Sequence, residues 1–74
     1  MEERIVVDPR VLRGKAVIKG TRIPVYLILE LLAAGMGVED ILKEYPELKE
    51  EDIRAALEYA SKLLKSEVVL PLEA

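Results

Sequence analysis

The chain has 74 residues, which is enough for one small domain and excludes a second hydrophobic core. Eleven basic and fourteen acidic side chains give a net charge of −3, so no overall positive field draws the protein to nucleic acid or anionic lipid. Cys and His are both absent, which excludes disulfides, thiol nucleophiles, thiolate metal sites and the commonest general base.

The segment 1–22 is predicted to be basic and extended. It carries six basic and three acidic side chains, whereas residues 23–74 carry five basic and eleven acidic ones. Two β-branched runs, at 5–7 and 16–18, predict short strands, and the Asp8-Pro9 dipeptide between them favours a turn. We expect these strands to pair as a hairpin or to lie against a neighbouring element.

Residues 24–65 are predicted to form three helices. Pro24 suits a first helical turn and Gly35 suits the position just past a helix end, so the first helix should run to Ala34. Apolar spacing predicts a second helix of about two turns that stops at Pro46, and a third over roughly 50–65. The apolar stripe expected on this third helix is Ile53, Ala56, Leu57, Ala60 and Leu63 or Leu64.

The first helix and the end of the chain predict association. Only Glu30 and the hydroxyl of Tyr26 are polar on the first helix, and so short a chain has too few elements to cover all its faces. Residues 66–74 form an apolar tail, which either docks onto a partner, packs on its own core or adds an edge strand. We expect a homodimer or a protein partner, with an interface at Leu27, Leu31, Val69 and Leu70.

The three-helix order matches a helix-turn-helix plan, in which the last helix can enter the major groove of DNA. Three carboxylates, Glu50, Glu51 and Asp52, stand where recognition helices usually present Arg, Asn or Gln to the bases. In one hypothesis the basic side chains contact DNA or a protein partner. In the other they lie on loops and are only solvated. They are Arg10, Arg13, Lys15, Lys19, Arg22, Lys49 and Arg54.

No catalytic constellation is recognisable in the sequence. The acid pairs Glu39-Asp40 and Glu51-Asp52 fall at predicted helix starts, where carboxylates favour the helix dipole. Gly14-Lys15 and Gly20-Thr21 lack the spacing of a phosphate-binding loop. We therefore expect no enzyme, no metal, no cofactor and no small-molecule substrate. The longest uncharged apolar stretch, residues 23–29, is far below the ~20 residues of a membrane span, which predicts a cytoplasmic protein.

Residues 14–25, GKAVIKGTRIPV, closely resemble the G-K-P-V-I-x-G-T-R-I-P-V signature of domain-of-unknown-function family 433. Further residues match that family's pattern in order, so the resemblance covers residues 5 to about 62: Gly35, Ile41-Leu42, Tyr45-Pro46, Leu48, Glu51-Asp52-Ile53, Ala55-Ala56-Leu57 and Tyr59-Ala60. Ala16 replaces the usual Pro, Gly37 the usual Ser or Thr cap, and Lys49 the usual Thr before the last helix. Since Lys49 cannot act as a Thr cap does, we expect a weaker helix start or another capping group.

The resemblance implies a mainly α fold, a homeodomain-like helix-turn-helix bundle of three helices after two short extended segments. It also implies an antitoxin that neutralises a PIN-like ribonuclease, with operator DNA as a second candidate partner. The alternatives are a stand-alone helix-turn-helix transcriptional regulator and a protein-interaction adaptor that does not bind DNA. The Glu and Lys content, 17 residues together, is typical of a thermophile.

The pair Thr21-Arg22 allows two interpretations. In the structural one, Thr21 closes a turn and Arg22 binds backbone carbonyls or a carboxylate such as Asp8. In the functional one, Arg22 contacts DNA or an acidic nuclease site, where a guanidinium takes the position that a metal ion normally holds among carboxylates.

Overall fold

Three helices follow a two-stranded antiparallel sheet in the computed structural model, which describes residues 4–66. This arrangement confirms the predicted mainly α fold. The predictions for Val69 and Leu70, and for most of the apolar tail, lie outside the described residues. The elements are β1 (Ile5–Val7), β2 (Ala16–Ile18), α1 (Val25–Ala33), α2 (Val38–Glu44) and α3 (Glu50–Lys65).

The two strands form the predicted hairpin. They are antiparallel, with Ile5 opposite Ile18, Val6 opposite Val17 and Val7 opposite Ala16. Every one of these residues is aliphatic, and five are β-branched, which suits a pleated and partly buried surface. Since two strands alone are marginal in water, the hairpin depends on α1 and α3, which both pack against it.

A tight turn joins β2 to α1. Gly20 has a φ of +82°, which L-residues rarely adopt. The Thr21 hydroxyl donates a hydrogen bond to the Ile18 carbonyl at 2.8 Å and accepts one from the Ile23 amide at 3.0 Å. The predicted turn-closing role of Thr21 is therefore confirmed.

The end of α1 is set by Gly35, as predicted. Ala34 closes the helix, and Gly35 follows with a φ of +97°. The Gly35 amide donates to the Leu32 carbonyl at 3.0 Å, and the Met36 amide donates to the Leu31 carbonyl at 3.1 Å. This pair of hydrogen bonds is a Schellman motif, which satisfies carbonyls that the last helical turn leaves open.

Replacing Gly35 with alanine should lower the free energy of unfolding by about 1–2 kcal/mol, because a Cβ is disfavoured in this left-handed conformation. A Cβ would meet no heavy atom within 4 Å, so backbone strain is the whole effect. Gly35→Asn is the matched control, since asparagine tolerates the left-handed region better and should lose less. Urea denaturation measures both variants, and equal stability of wild type and Gly35→Ala would contradict the account.

The third helix covers the predicted range, but another group caps it. Lys49 takes the N-cap position and has no acceptor atom in its side chain. Instead, the Asp52 carboxylate accepts a hydrogen bond from the Lys49 amide at 2.9 Å. This is the reciprocal half of a capping box, and the Asp52 amide, which a Thr side chain would cap, donates instead to the Lys49 carbonyl at 2.9 Å.

The core lies where the hairpin and the three helices meet. The buried side chains come from every element, with Ile28 of α1 and Ile41 of α2 at 0% exposure. Leu27 and Leu31, which were predicted at an interface, are partly buried and pack against this core. The reason is that α1 contacts β2, α2 and α3 together, which covers more of its surface than its composition indicated. The homodimer and its interface at Leu27 and Leu31 stay predictions.

The predicted apolar stripe of α3 is correct only in part. Ile53 and Ala56 are buried, and so are Ala55 and Asp52, which the stripe did not contain. By contrast, the leucines of the stripe are exposed: Leu57 by 48%, Leu63 by 52% and Leu64 by 61%. The 16 residues of α3 exceed the 9 of α1 and the 7 of α2, and the end of α3 from residue 61 onward is exposed.

Candidate partner-binding surface

The hairpin and its loops are the basic part of the described chain. Residues 4–22 carry six basic side chains and one acidic one, Asp8. Two of these cations have carboxylate partners. Arg4 Nη1 lies 2.9 Å from Asp52 Oδ1, and Arg10 holds Asp8 through both its Nε and its Nη2 at 3.1 Å.

Asp8 pairs with Arg10 because the two residues are neighbours in a turn. The Arg10 backbone amide donates to Asp8 Oδ1 at 2.9 Å in addition to the two guanidinium hydrogen bonds. The Arg10 side chain, and then its backbone amide, hold the pKa of Asp8 below its ordinary value of 3.8. The structural interpretation in which Arg22 pairs with Asp8 is therefore wrong, since Arg10 already occupies that carboxylate.

The lowered pKa predicts an acid sensitivity of this turn. A carboxyl whose pKa is lower in the folded state stabilises the fold above its unfolded pKa, and the contribution is lost as the pH falls through the folded value. In Arg10→Ala, the pKa of Asp8 should rise toward 3.8, because the side-chain donors are gone. Carboxyl carbon chemical shifts followed by NMR from pH 2 to 6 measure this, and identical titrations of both proteins would contradict it.

Three other basic side chains of this segment are exposed and have no partner within residues 4–66. Arg13, Lys19 and Arg22 make no side-chain hydrogen bond or ion pair there. We call these three the hairpin cations. Lys15 differs from them, because its ammonium lies over the Tyr26 ring, 5.9 Å from the centroid.

The loop that carries Arg13 has an unusual backbone. Leu12 and Arg13 have φ values of +50° and +58°, and Gly14 follows with +82°. A left-handed conformation costs a non-glycine residue roughly 1–2 kcal/mol, and such outliers cluster at functional sites. Only Gly14 signalled this turn in the sequence, so the conformation of Leu12 and Arg13 was not predicted.

The other two predicted contact residues lie in acidic surroundings. Lys49 and Arg54 are exposed at the start of α3, beside the exposed Glu50 and Glu51. The segment 38–54, which contains α2, the connection and the start of α3, carries seven acidic and three basic side chains. The seven predicted residues thus fall into two groups, five on the basic hairpin segment and two on an acidic helical one.

An apolar groove borders the hairpin. It encloses about 380 Å³ between the β2–α1 region and the second half of α3. Tyr26 and Leu63, each about half exposed, stand at its two sides. We call it the α1–α3 groove. It was not predicted from the sequence, because it depends on how far α3 extends beyond its neighbouring elements. Its lining residues are Lys15, Ala16, Val25, Tyr26, Leu29, Tyr59, Ala60 and Leu63.

The described range contains neither a metal-binding cluster nor a membrane-spanning helix. Residues 4–66 contain no group of three or more acidic, His or Cys side chains placed to hold a metal ion. In the same range, no helix has the length and apolar character to cross a membrane.

Comparison with known proteins identifies the family. A crystal structure of a DUF433 member protein from Anabaena variabilis aligns with a TM-score of 0.79 at 34% identity, over 84% of this chain and 61% of that one. The uncharacterized protein y4eO of Sinorhizobium fredii is 43% identical over 58 residues, covering 78% of this chain and 26% of that protein. The chain therefore spans only part of either relative. The family model of proteins of unknown function DUF433 matches residues 5–60, and the chain belongs to this family.

Proposed function

We propose that the chain is an antitoxin that binds and inhibits a PIN-like ribonuclease through the hairpin cations. The observation that carries the proposal is the presence of three exposed cations, Arg13, Lys19 and Arg22, which have no ion partner within residues 4–66. Cations without internal partners are available to carboxylates of another molecule, and the active site of such a nuclease is a cluster of carboxylates.

The chemistry of arginine supports inhibition as well as binding. A guanidinium is planar, always charged and able to bind a carboxylate through two parallel hydrogen bonds. Arg22 or Arg13 placed among the nuclease carboxylates would take the position of a catalytic metal ion. The nuclease would then lose its metal without any catalytic residue being supplied by this chain, which is consistent with a non-enzymatic role.

The charge of the helical part favours a protein partner over sequence-specific DNA. A recognition helix presents its first turns to base edges, and here those turns expose Glu50 and Glu51. Carboxylates repel the phosphates on either side of the groove. Operator DNA therefore remains the second candidate partner, bound by the same hairpin cations through phosphate contacts whose affinity falls steeply with salt.

Co-purification from native cells tests the proposal. The tagged full chain is isolated, and the co-purifying proteins are identified and counted against it. A small nuclease with an acidic active site in near-equal amount is the expected result. Recovery of the chain with DNA and without a nuclease would contradict the proposal. Recovery of the chain alone would also contradict it, provided that tags at the two ends give the same result.

A further inference from the structure

The α1–α3 groove is an apolar site that residues 4–66 leave open. Its volume of about 380 Å³ lies within the range of pockets that bind small molecules, roughly 300–1,000 Å³. Val25 is the most deeply buried of its lining residues, whereas Tyr26 and Leu63 at its two sides are about half exposed. Small-molecule pockets are lined mainly by apolar and aromatic side chains with few polar groups, and this lining has that character.

The groove is short, which limits what it can hold. Its lining residues on α1 lie between Val25 and Leu29, and those on α3 lie between Tyr59 and Leu63. Each stretch is about one turn of helix, with a rise of about 6 Å from its first residue to its last. A partner helix that anchors at i, i+4 and i+7 needs roughly 10 Å, so a compact ring system fits the groove better than a polypeptide segment does.

The charges around the groove are basic. Among its lining residues, Lys15 is the one that is charged, and its ammonium lies over the Tyr26 ring, 5.9 Å from the centroid. The Lys15 side chain has no carboxylate partner within residues 4–66. The two segments that border the groove, 13–22 and 59–66, carry six basic side chains and no acidic one. The groove therefore favours an anionic occupant, whereas a second copy of the same surface would bring like charges together.

Two tyrosines favour an aromatic body for this anion. Tyr26 lines the groove from α1, and Tyr59 lines it from α3. Aromatic rings prefer offset or edge-to-face contacts with one another, which add to the apolar surface that a ligand buries. A carboxylate attached to such a ring matches the Lys15 ammonium, because a hydrogen bond between two charged groups is stronger than one between neutral groups.

We propose that the α1–α3 groove binds a compact aromatic carboxylate, whose ring lies between Tyr26 and Leu63 and whose carboxylate pairs with the Lys15 ammonium. The proposal concerns binding without reaction, so it is compatible with the predicted absence of a small-molecule substrate. It is independent of the proposed antitoxin role, which depends on the hairpin cations.

Titration with 1-naphthoate tests the site in the full chain. In isotope-enriched protein, the amide NMR signals of Tyr26, Leu29 and Ala60 should shift in a saturable manner. The signals of α2, which contributes no lining residue, should stay unchanged. Two probes with the same ring system are matched controls. Uncharged 1-naphthylmethanol should bind about fivefold more weakly, and cationic 1-naphthylmethylammonium more weakly still, because neither forms an ion pair with Lys15.

Three variants separate the charge contact from the apolar contacts. Lys15→Met keeps a long side chain without the charge, so 1-naphthoate should bind about fivefold more weakly while binding of 1-naphthylmethanol is unaffected. Ala60→Phe fills the groove and should weaken the binding of both probes by about tenfold or more. Lys43→Met removes a positive charge from α2 and should change neither affinity. Circular dichroism checks that each variant keeps its helices.

Several results would overturn the proposal. They are the absence of saturable shifts at the groove, equal affinities for the three naphthalene probes, and 1-naphthoate binding that is unchanged by Lys15→Met or by Ala60→Phe. The proposal would also be overturned if the groove signals changed with protein concentration alone, since a second copy would then occupy the groove.

Discussion

Replacing Asp52 with alanine is expected to lower the free energy of unfolding by about 2–3 kcal/mol, through one lost cap and one lost charged hydrogen bond. Asp52 is only 5% exposed and uses both carboxylate oxygens. Oδ1 accepts from Arg4 Nη1 and Oδ2 accepts from the Lys49 amide, each at 2.9 Å. The residue therefore fixes the start of α3 and ties that helix to the residue before β1.

The adjacent carboxylate provides the matched control. Glu51 carries the same charge as Asp52 and lies in the same helical turn, but its side chain is exposed. Glu51→Ala should change the free energy of unfolding by no more than about 0.5 kcal/mol, as for most surface substitutions. Asp52→Asn should fall between the two alanine variants, because its amide oxygen still accepts one hydrogen bond. Equal losses for Glu51→Ala and Asp52→Ala in urea denaturation would contradict the assigned role.

The second large effect is expected for binding. Replacing Arg13, Lys19 and Arg22 together with alanine should weaken affinity for the nuclease about 100- to 1000-fold, which corresponds to roughly 3–4 kcal/mol. The fold should persist, because these side chains make no hydrogen bond or ion pair within the described range. Binding is measured by titration calorimetry, and circular dichroism checks that the helices are retained.

A second triple variant separates position from charge. The α2–α3 segment carries three exposed basic side chains, Lys43, Lys49 and Arg54. Replacing them with alanine removes the same number of positive charges from a different part of the surface. This variant should keep its affinity within about threefold, because separated and exposed charges contribute little to a distant contact. If both triple variants weakened binding equally, the effect would come from overall charge and the hairpin would have no special role.

Local signals were sufficient to predict the elements of this fold. Gly35 predicted the end of α1 because a left-handed residue after a helix is a local requirement, and the structure has that residue at +97°. The range of α3 followed from acidic residues in its first turn and from regular apolar spacing. The hairpin followed from two β-branched runs around a turn dipeptide. Each of these signals lies within one element or at its border.

The tertiary features could not be predicted in the same way. Asp52 looked like an ordinary helix-start carboxylate, and its buried pairing with Arg4 joins residues 48 positions apart. Leu57 and Leu63 matched the apolar stripe, but whether they are covered depends on the lengths of α1 and α2 beside α3. Arg22 was the candidate partner for Asp8, but the short turn places Arg10 against that carboxylate.

The candidate surface was predicted as a set of basic residues, and the structure divides that set. Arg10 and Lys15 have internal contacts, and Lys49 and Arg54 lie among carboxylates. The three hairpin cations have no side-chain partner within residues 4–66. A charge count along the chain indicates where basic residues are concentrated. It does not indicate which of them the fold already uses, and that distinction selects the residues for the proposed contact.

The most direct test of the proposed function is the ribonuclease activity of a purified PIN-like partner titrated with the full chain. We expect activity to fall in proportion to added chain and to vanish near a stoichiometric ratio. The triple variant of Arg13, Lys19 and Arg22 should require a large excess for the same inhibition. Undiminished cleavage of RNA in the presence of excess folded wild-type chain would contradict the antitoxin role.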